Sequence, residues 1–147
     1  MKEAMIMAMC SVVLMVLVGC AMFSTVDNES TAYLAGQGIV AGYYAGKDKV
    51  SVTPEQTKMI EQVSSAFSQV IGVIGTADTA NMKQSIADAL RKNIKDDKQY
   101  ALAQQFADVC WNLLNKNVDI QKLSSNDKVK VVMAFCNGIN DGLIANK

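Results

Sequence analysis

Apolar residues recur every three or four positions along much of the chain, and this spacing is the strongest constraint on its fold. Met82, Ile86, Leu90 and Ile94 stand at intervals of four residues, which places them on one face of an α-helix. A single proline in 147 residues leaves few points where a helix must break. Half of the residues are apolar, enough to form the core of one ordinary domain. We therefore predict an all-α fold, a compact bundle of four to five helices.

The clearest helix start is VTPEQTKMIEQV. Thr53 can cap the helix, Pro54 fits its first position and Gln56 stands where a capping-box partner belongs. This predicts a helix from Pro54 to about Gly75, whose last residues, VIGVIG, are apolar all round and are expected to be central. Its apolar stripe consists of Ile60, Val63, Phe67, Val70 and Ile74.

Three further helices follow from the same spacing. One begins near Asp78 or Thr79 and carries the four residues named above. The next, YALAQQFADVCWNLLN, ends near Asn117, and its apolar face is formed by Tyr100, Ala103, Phe106, Ala107, Cys110, Leu113 and Leu114. The last opens at Ser124, with Asp127 in its first turn, although VKVVMAF within it is also rich in the β-branched residues of strands. Its inward residues are predicted to be Val129, Val132, Cys136, Ile139 and Leu143.

The N-terminus, MKEAMIMAMCSVVLMVLVGC, has the layout of a secretory signal, with a charged start, an apolar stretch and then Gly19 and Cys20. An uncleaved membrane anchor is the alternative. Residues 5–23 carry no charge, and these nineteen residues are close to the roughly 20 that a spanning helix needs. Length alone leaves both interpretations open.

The end of this stretch, LVGC, is similar to the lipobox of bacterial lipoprotein precursors. The resemblance covers only the leader. It implies that Leu17, Val18 and Gly19 are recognised by a signal peptidase, and that Cys20 receives a lipid on its sulfur and becomes the first residue of the mature chain. Lipid chains such as palmitate would then hold the protein to a membrane, since each buried methylene contributes about 0.8 kcal/mol. Ala21, in place of Asp, resembles the signal for outer-membrane sorting in enteric-type bacteria.

The leader divides the chain into three predicted segments. Residues 1–19 form the signal peptide, residues 20–30 a lipidated tether and residues 31–147 the helical domain. Cys10 would be discarded with the leader. The tether includes the polar stretch STVDNES, which is too short to cross a periplasm and therefore keeps the domain at the periplasmic face of the membrane.

Two cysteines of the mature chain, Cys110 and Cys136, fall on the apolar stripes of consecutive helices. In an oxidising periplasm, two thiols whose Cα atoms come within about 5 to 6 Å are normally joined, so a disulfide is one prediction. Two buried and unlinked cysteines acting as small hydrophobic residues are the other.

The segment TAYLAGQGIVAGYYAG is unusual because no charge occurs between Glu29 and Lys47. If it is helical, Gly38, Gly42 and Gly46 form a GxxxGxxxG ladder on one face, a pattern that lets another backbone come close, while Tyr33, Val40 and Tyr44 project from the other. Such glycines cost about 1 kcal/mol each relative to alanine, so something must offset them. Three interpretations stay open: packing against the Pro54 helix, contact with a second copy or a partner helix, and partial insertion into the bilayer.

Composition bears on the class of function. Fourteen Lys and Arg balance fourteen Asp and Glu, so no net field attracts nucleic acid. Histidine, the commonest general base and metal ligand, is absent from the sequence. The mixed run RKNIKDDK is expected to be a solvated corner in which Asp96 and Asp97 cap a helix. Neither a phosphate-binding loop nor a nucleophile motif occurs, and we predict no enzymatic activity, no metal and no cofactor.

The resulting hypothesis is a lipid-anchored helical module at the periplasmic face of the outer membrane, which binds an envelope protein as an assembly adaptor or inhibitor. Two alternatives come from other classes. One is a carrier of a small apolar ligand or lipid, using the Tyr33, Val40 and Tyr44 face. The other is a self-assembling or membrane-active protein built on the glycine ladder. The sequence leaves the partner and the oligomeric state open.

Overall fold

The structure is a computed structural model that describes residues 27–46, 53–74 and 79–146. The predicted leader, with Leu17, Val18, Gly19 and Cys20, lies outside the described residues. Five long helices form the described part: α1 (Asn28–Ala45), α2 (Pro54–Gln69), α3 (Thr79–Asn93), α4 (Asp97–Asn117) and α5 (Ser125–Ala145). A short helical turn, Ile71–Ile74, follows α2, and a 3-10 turn, Ile120–Lys122, precedes α5. The predicted all-α bundle is confirmed, and the stretch VKVVMAF is helical within α5.

The predicted helix starts are confirmed by their caps. Thr53 Oγ1 accepts a hydrogen bond from the Gln56 amide at 3.3 Å, and Gln56 Oε1 accepts one from the Thr53 amide at 3.0 Å. Asp96 caps α4 at 2.9 Å, and Ser124 caps α5 by accepting from the Asp127 amide at 3.2 Å. These side chains satisfy amide groups that have no partner within their own helix.

Two helix boundaries differ from the prediction. The first helix begins at Asn28, before the predicted tether ends at residue 30, because the Asp27 carboxylate accepts the Ser30 amide at 2.8 Å and caps it. The predicted helix from Pro54 to Gly75 ends at Gln69, where β-branched residues and Gly72 weaken helix propensity. The following turn is not central, since Val73 is 48% exposed.

Successive helices alternate in direction. Ser64 of α2 donates to Asn140 of α5 at 3.0 Å, and Phe67 packs near Phe135, so these two helices are antiparallel. Lys83 lies 3.1 Å from Asp108, and Arg91, later in α3, lies 2.7 Å from Asp97, earlier in α4. The helices α3 and α4 are therefore antiparallel as well. The first and last helices, α1 and α5, are adjacent and parallel. The bundle therefore runs up, down, up, down, up.

The core lies between these helices and contains most of the predicted apolar stripes. Met82, Ile86, Leu90 and Ile94 are all buried. Three predicted core residues are only half-buried: Tyr100, Leu113 and Val129. Several buried side chains were missed, among them Trp111, Ile120, Val131 and Phe135. The side chain of Ile74 is outside the described set.

The run RKNIKDDK forms the predicted exposed corner between α3 and α4. Arg91 lies 2.7 Å from Asp97 and its guanidinium carbon lies 4.8 Å from the centre of the Tyr100 ring. Within the corner, Ile94 alone turns inward. These contacts explain the mixed charge of the run as surface pairing at a helix connection.

Candidate functional site

The predicted lipidation site precedes the bundle closely in sequence. Cys20 is outside the described residues, but α1 begins at Asn28. At about 3.5 Å per residue, the eight steps from Cys20 to Asn28 can reach at most roughly 28 Å. A lipid on Cys20 would therefore hold the N-terminal end of α1 near the membrane surface.

The glycine ladder does not pack α1 into the bundle, so this part of the prediction is wrong. In the described part of the chain, a Cβ built at Gly38 or Gly42 would have no neighbour within 4 Å, and one at Gly46 would meet its own helix at Gly42 O, 3.3 Å away. Gly38 faces outward because Ala32, Gly36 and Val40, on the opposite side of α1, take the buried positions. Contact between the ladder and a partner stays a prediction.

Close packing occurs instead through three glycines that the sequence reasoning did not assign to it. A Cβ at Gly36 would overlap the carbonyl oxygen of Phe135, and a Cβ at Gly138 would overlap the carbonyl oxygen of Tyr33. At Gly142 it would lie 3.0 Å from Val40 Cβ. The four-residue spacing of Gly138 and Gly142 is a GxxxG signal in the sequence, but the same spacing occurs at Gly38 and Gly42, and only the structure shows that α1 approaches α5 at the second pair.

The three residues predicted to form an aromatic face have separate roles. Val40 is fully buried. Tyr33 donates to Asp141 Oδ2 at 2.7 Å, and this hydrogen bond to a carboxylate raises the pKa of Tyr33. Tyr44 lies 3.2 Å from the Thr57 hydroxyl. They therefore do not line one apolar cavity.

An uncharged surface extends across α1 and α4. The Tyr43 and Phe106 rings meet edge to face at 5.8 Å, which brings these helices together. Leu102 and Val109 are 58% and 55% exposed. Leu102 stands four residues before Phe106 and Val109 three residues after it, so both lie beside Phe106 along the edge of α4 that turns away from the buried Cys110. We define the α1–α4 face as Gly38, Ile39, Gly42, Leu102, Val109 and Leu113.

The α1–α4 face was not predicted, although its signal is present in the sequence. Leu102 and Val109 stand seven residues apart and lie off the predicted apolar stripe of their helix. Large apolar residues that repeat on the polar side of an amphipathic helix indicate an exposed apolar strip. The charged residue of α4 between Lys98 and Lys116 is Asp108, which lies off this strip and pairs with Lys83 of α3.

Cys110 and Cys136 are free thiols, so the predicted disulfide is not present and the alternative prediction applies. Both are buried. The Cys136 Sγ contacts the Ser64 carbonyl oxygen at 3.7 Å. Burial, and secondly the neighbouring Cys136, raises the pKa of Cys110, and burial also raises that of Cys136. Thiols that stay protonated are poor nucleophiles.

A recess of about 240 Å³ lies between α3 and α4. Its floor includes Leu90 and Trp111, and the Lys83–Asp108 ion pair stands at its rim. Ligand pockets usually have volumes of about 300 Å³ or more, so the recess is small for a carrier. Over residues 27–46, 53–74 and 79–146, no cluster of three or more Cys, Asp or Glu is placed to hold a metal ion.

None of the described helices combines the length and apolar character needed to cross a bilayer. Comparisons with protein-family models, with curated proteins and with solved structures found no match. The functional argument therefore depends on this chain's own residues.

Proposed function

We propose that this protein is a bacterial lipoprotein, anchored through Cys20 at the periplasmic face of the outer membrane, which acts as a non-enzymatic helical interaction module. The observation that carries the proposal is the LVGC motif, Leu17 to Cys20, at the end of an apolar leader. Its role would be that of an assembly adaptor or an inhibitor within the cell envelope.

The position of α1 supports this proposal by giving the anchored bundle an orientation. The N-terminal ends of α1 and α5 lie at the same end of the bundle, where Lys130 Nζ is 4.0 Å from Glu29. A short tether from Cys20 would turn this end toward the membrane. The α1–α4 face would then stand on the side of the bundle, where a protein in the same membrane can reach it.

The surface supports an interaction role because the α1–α4 face combines exposed large apolar residues with uncovered glycines. Leu102 and Val109 each expose more than half of their surface. Scattered single apolar residues need no explanation, whereas a contiguous apolar patch indicates an interaction site. The face is formed by two helices and so belongs to the folded bundle.

Affinity capture of the natively lipidated protein from intact envelopes tests the proposal. A C-terminal tag leaves the leader free, and Cys20→Ala is the matched control. We expect the wild type to be recovered in the outer-membrane fraction with a specific envelope protein, and Cys20→Ala to lose both. Equal distribution and equal capture for the two would contradict the proposal.

A carrier of a small apolar ligand is the alternative function, and the small recess over Leu90 and Trp111 is where the described chain could receive such a ligand. Native mass spectrometry of the detergent-extracted protein separates the two functions. A copurifying apolar molecule that is lost in Ala87→Trp, which fills the recess, would favour the carrier. An unoccupied bundle that copurifies with an envelope protein favours the interaction module.

A further inference from the structure

We infer that the recess between α3 and α4 is a binding site for a small zwitterion with an apolar body, the chemistry of a free apolar α-amino acid such as leucine. This role needs neither the lipid anchor nor a protein partner, so it goes beyond the proposed interaction module and stands or falls separately from it.

The recess exists because short side chains stand between two antiparallel helices. Ala87 of α3 and Ala107 of α4 both line it, and neither extends far enough to close the gap. Its volume of about 240 Å³ equals that of about eight water molecules at roughly 30 Å³ each. This is room for one small molecule, and it is too little for a lipid or a drug-sized ligand.

The floor of the recess is apolar and includes an aromatic ring. Leu90 is fully buried, and Ile86 and Trp111 are nearly so, yet all three contribute to the lining. Trp111 also lies near Phe67 of α2, with 6.4 Å between the ring centroids, so its ring is supported by the core. An apolar group that enters the recess therefore leaves water for a preformed apolar surface, which favours binding.

Two opposite charges stand at the rim of this floor. Lys83 Nζ lies 3.1 Å from Asp108 Oδ1, and the two side chains are 50% and 42% exposed. An ion pair this exposed contributes little stability by itself, so a ligand can separate the two groups at small cost. Both side chains line the recess, which puts a positive and a negative group side by side at its mouth.

This pair of charges selects the charge state of the ligand. A simple anion would gain Lys83 but would meet the Asp108 carboxylate beside it, and a simple cation would gain Asp108 but would meet Lys83. Attraction and repulsion then nearly cancel. A zwitterion satisfies both groups, because its ammonium faces Asp108 and its carboxylate faces Lys83. In an α-amino acid these two charges are about 3 Å apart, close to the 3.1 Å between the rim groups.

Gln104 supplies a further polar group in the wall of the recess. It lines the recess one turn before Asp108 and is half-buried. Its side-chain amide has no hydrogen-bond partner within the described chain, whereas Gln84 on the opposite helix already donates to Asp88 at 2.9 Å. An amide both donates and accepts, so Gln104 is suited to a ligand head group that carries a donor and an acceptor.

Intrinsic fluorescence tests the site, because Trp111 is the single tryptophan of the chain and forms part of the floor. The full chain, purified in detergent, is titrated with L-leucine, L-methionine and L-phenylalanine and excited at a wavelength that only tryptophan absorbs. We expect at least one of them to change the Trp111 emission saturably. No saturable change with any of the three would overturn the inference.

Analogues that lack a charge test the role of the rim. For leucine, isopentylamine keeps only the ammonium and 4-methylpentanoate keeps only the carboxylate, and each should bind about tenfold more weakly than the amino acid. Glycine keeps both charges without the apolar body and should give no saturable signal. Binding of isopentanol, which has neither charge, as tight as that of leucine would overturn the zwitterion in favour of a simple apolar ligand.

Substitutions at the rim complete the test. Lys83→Met and Asp108→Asn each remove one charge and should weaken amino-acid binding about tenfold. Lys83→Met should also come to prefer isopentylamine, because Asp108 is then left without a cation, whereas a merely structural defect would weaken all ligands alike. Circular dichroism checks that both variants fold.

Lys92→Met is the matched control for the lysine substitution. Lys92 is an exposed residue of the same helix and does not line the recess, so this variant should bind the amino acid as the wild type does. An unchanged affinity in both rim variants, or a loss in Lys92→Met equal to that in Lys83→Met, would overturn the inference.

Discussion

The α-carbon of Gly138 packs so closely against α1 that a Cβ there would overlap the carbonyl oxygen of Tyr33. The first and last described helices thus meet backbone to backbone. Gly36 makes the reciprocal approach to Phe135 from α1. This contact joins the helix nearest the proposed anchor to the opposite end of the chain, and it explains why glycine is needed at these positions.

Gly138→Ala should lower the free energy of unfolding by about 2 to 3 kcal/mol, because the added methyl meets a carbonyl group that the surrounding helices hold in place. Urea titration followed by circular dichroism measures this change. Gly38→Ala is the matched control. Its new methyl meets open space within the described chain, and it should raise the stability by about 0.5 to 1 kcal/mol. Equal effects of the two substitutions would contradict the assignment.

Thr53→Ala should destabilise the bundle by about 1 kcal/mol, because it removes the hydroxyl that accepts the Gln56 amide and breaks the capping box of α2. Thr53→Ser keeps the hydroxyl and should remain close to the wild type. The midpoint of urea unfolding checks both. A loss of the same size in Thr53→Ser would show that the cap is not the cause.

Cys110 and Cys136 should resist thiol reagents in the folded protein, since both are buried and their pKa values are raised. Maleimide labelling followed by mass spectrometry should modify neither thiol in native buffer and both in urea. Gln105→Cys, at an exposed position on α4, is the positive control and should react at once. Rapid native labelling of Cys110 would contradict its burial.

Stability should also fall as the pH rises above about 8.5. In the unfolded chain, the thiols ionise near this pH, whereas the folded bundle keeps the pKa values of Cys110 and Cys136 higher. The unfolded state therefore binds fewer protons in this window, and the free energy of unfolding decreases by up to about 1.4 kcal/mol per pH unit for each thiol. Urea titrations under reducing conditions at about pH 7.5, 8.5 and 9.5, which bracket the pKa of a cysteine in an unfolded chain, measure how steeply the free energy of unfolding falls with pH. Cys110→Ala should reduce it, and an unchanged slope would contradict the assignment.

Helix positions and most of the core could be predicted because they depend on local patterns. The four-residue spacing of Met82, Ile86, Leu90 and Ile94 fixes a buried face without knowledge of the neighbouring helices. Thr53 and Ser124 act on amides within their own turn, so their capping roles are also visible in the sequence. These predictions were confirmed.

Helix pairing could not be predicted in the same way, because it depends on which faces meet across the bundle. GxxxG spacing occurs both at Gly38 with Gly42 and at Gly138 with Gly142, and spacing alone does not show which pair is buried. The structure places the second pair against α1 and leaves the first outward. Val73 was predicted to be central for the same reason, since an apolar run does not reveal whether other helices cover it.

Metabolic labelling with a palmitate analogue tests the central claim, the lipid on Cys20, most directly. The full-length wild type should incorporate the label and Cys20→Ala should not. Cys10→Ala, whose substitution lies within the discarded leader, should be labelled like the wild type. An unlabelled wild-type protein, or equal labelling of wild type and Cys20→Ala, would contradict the account.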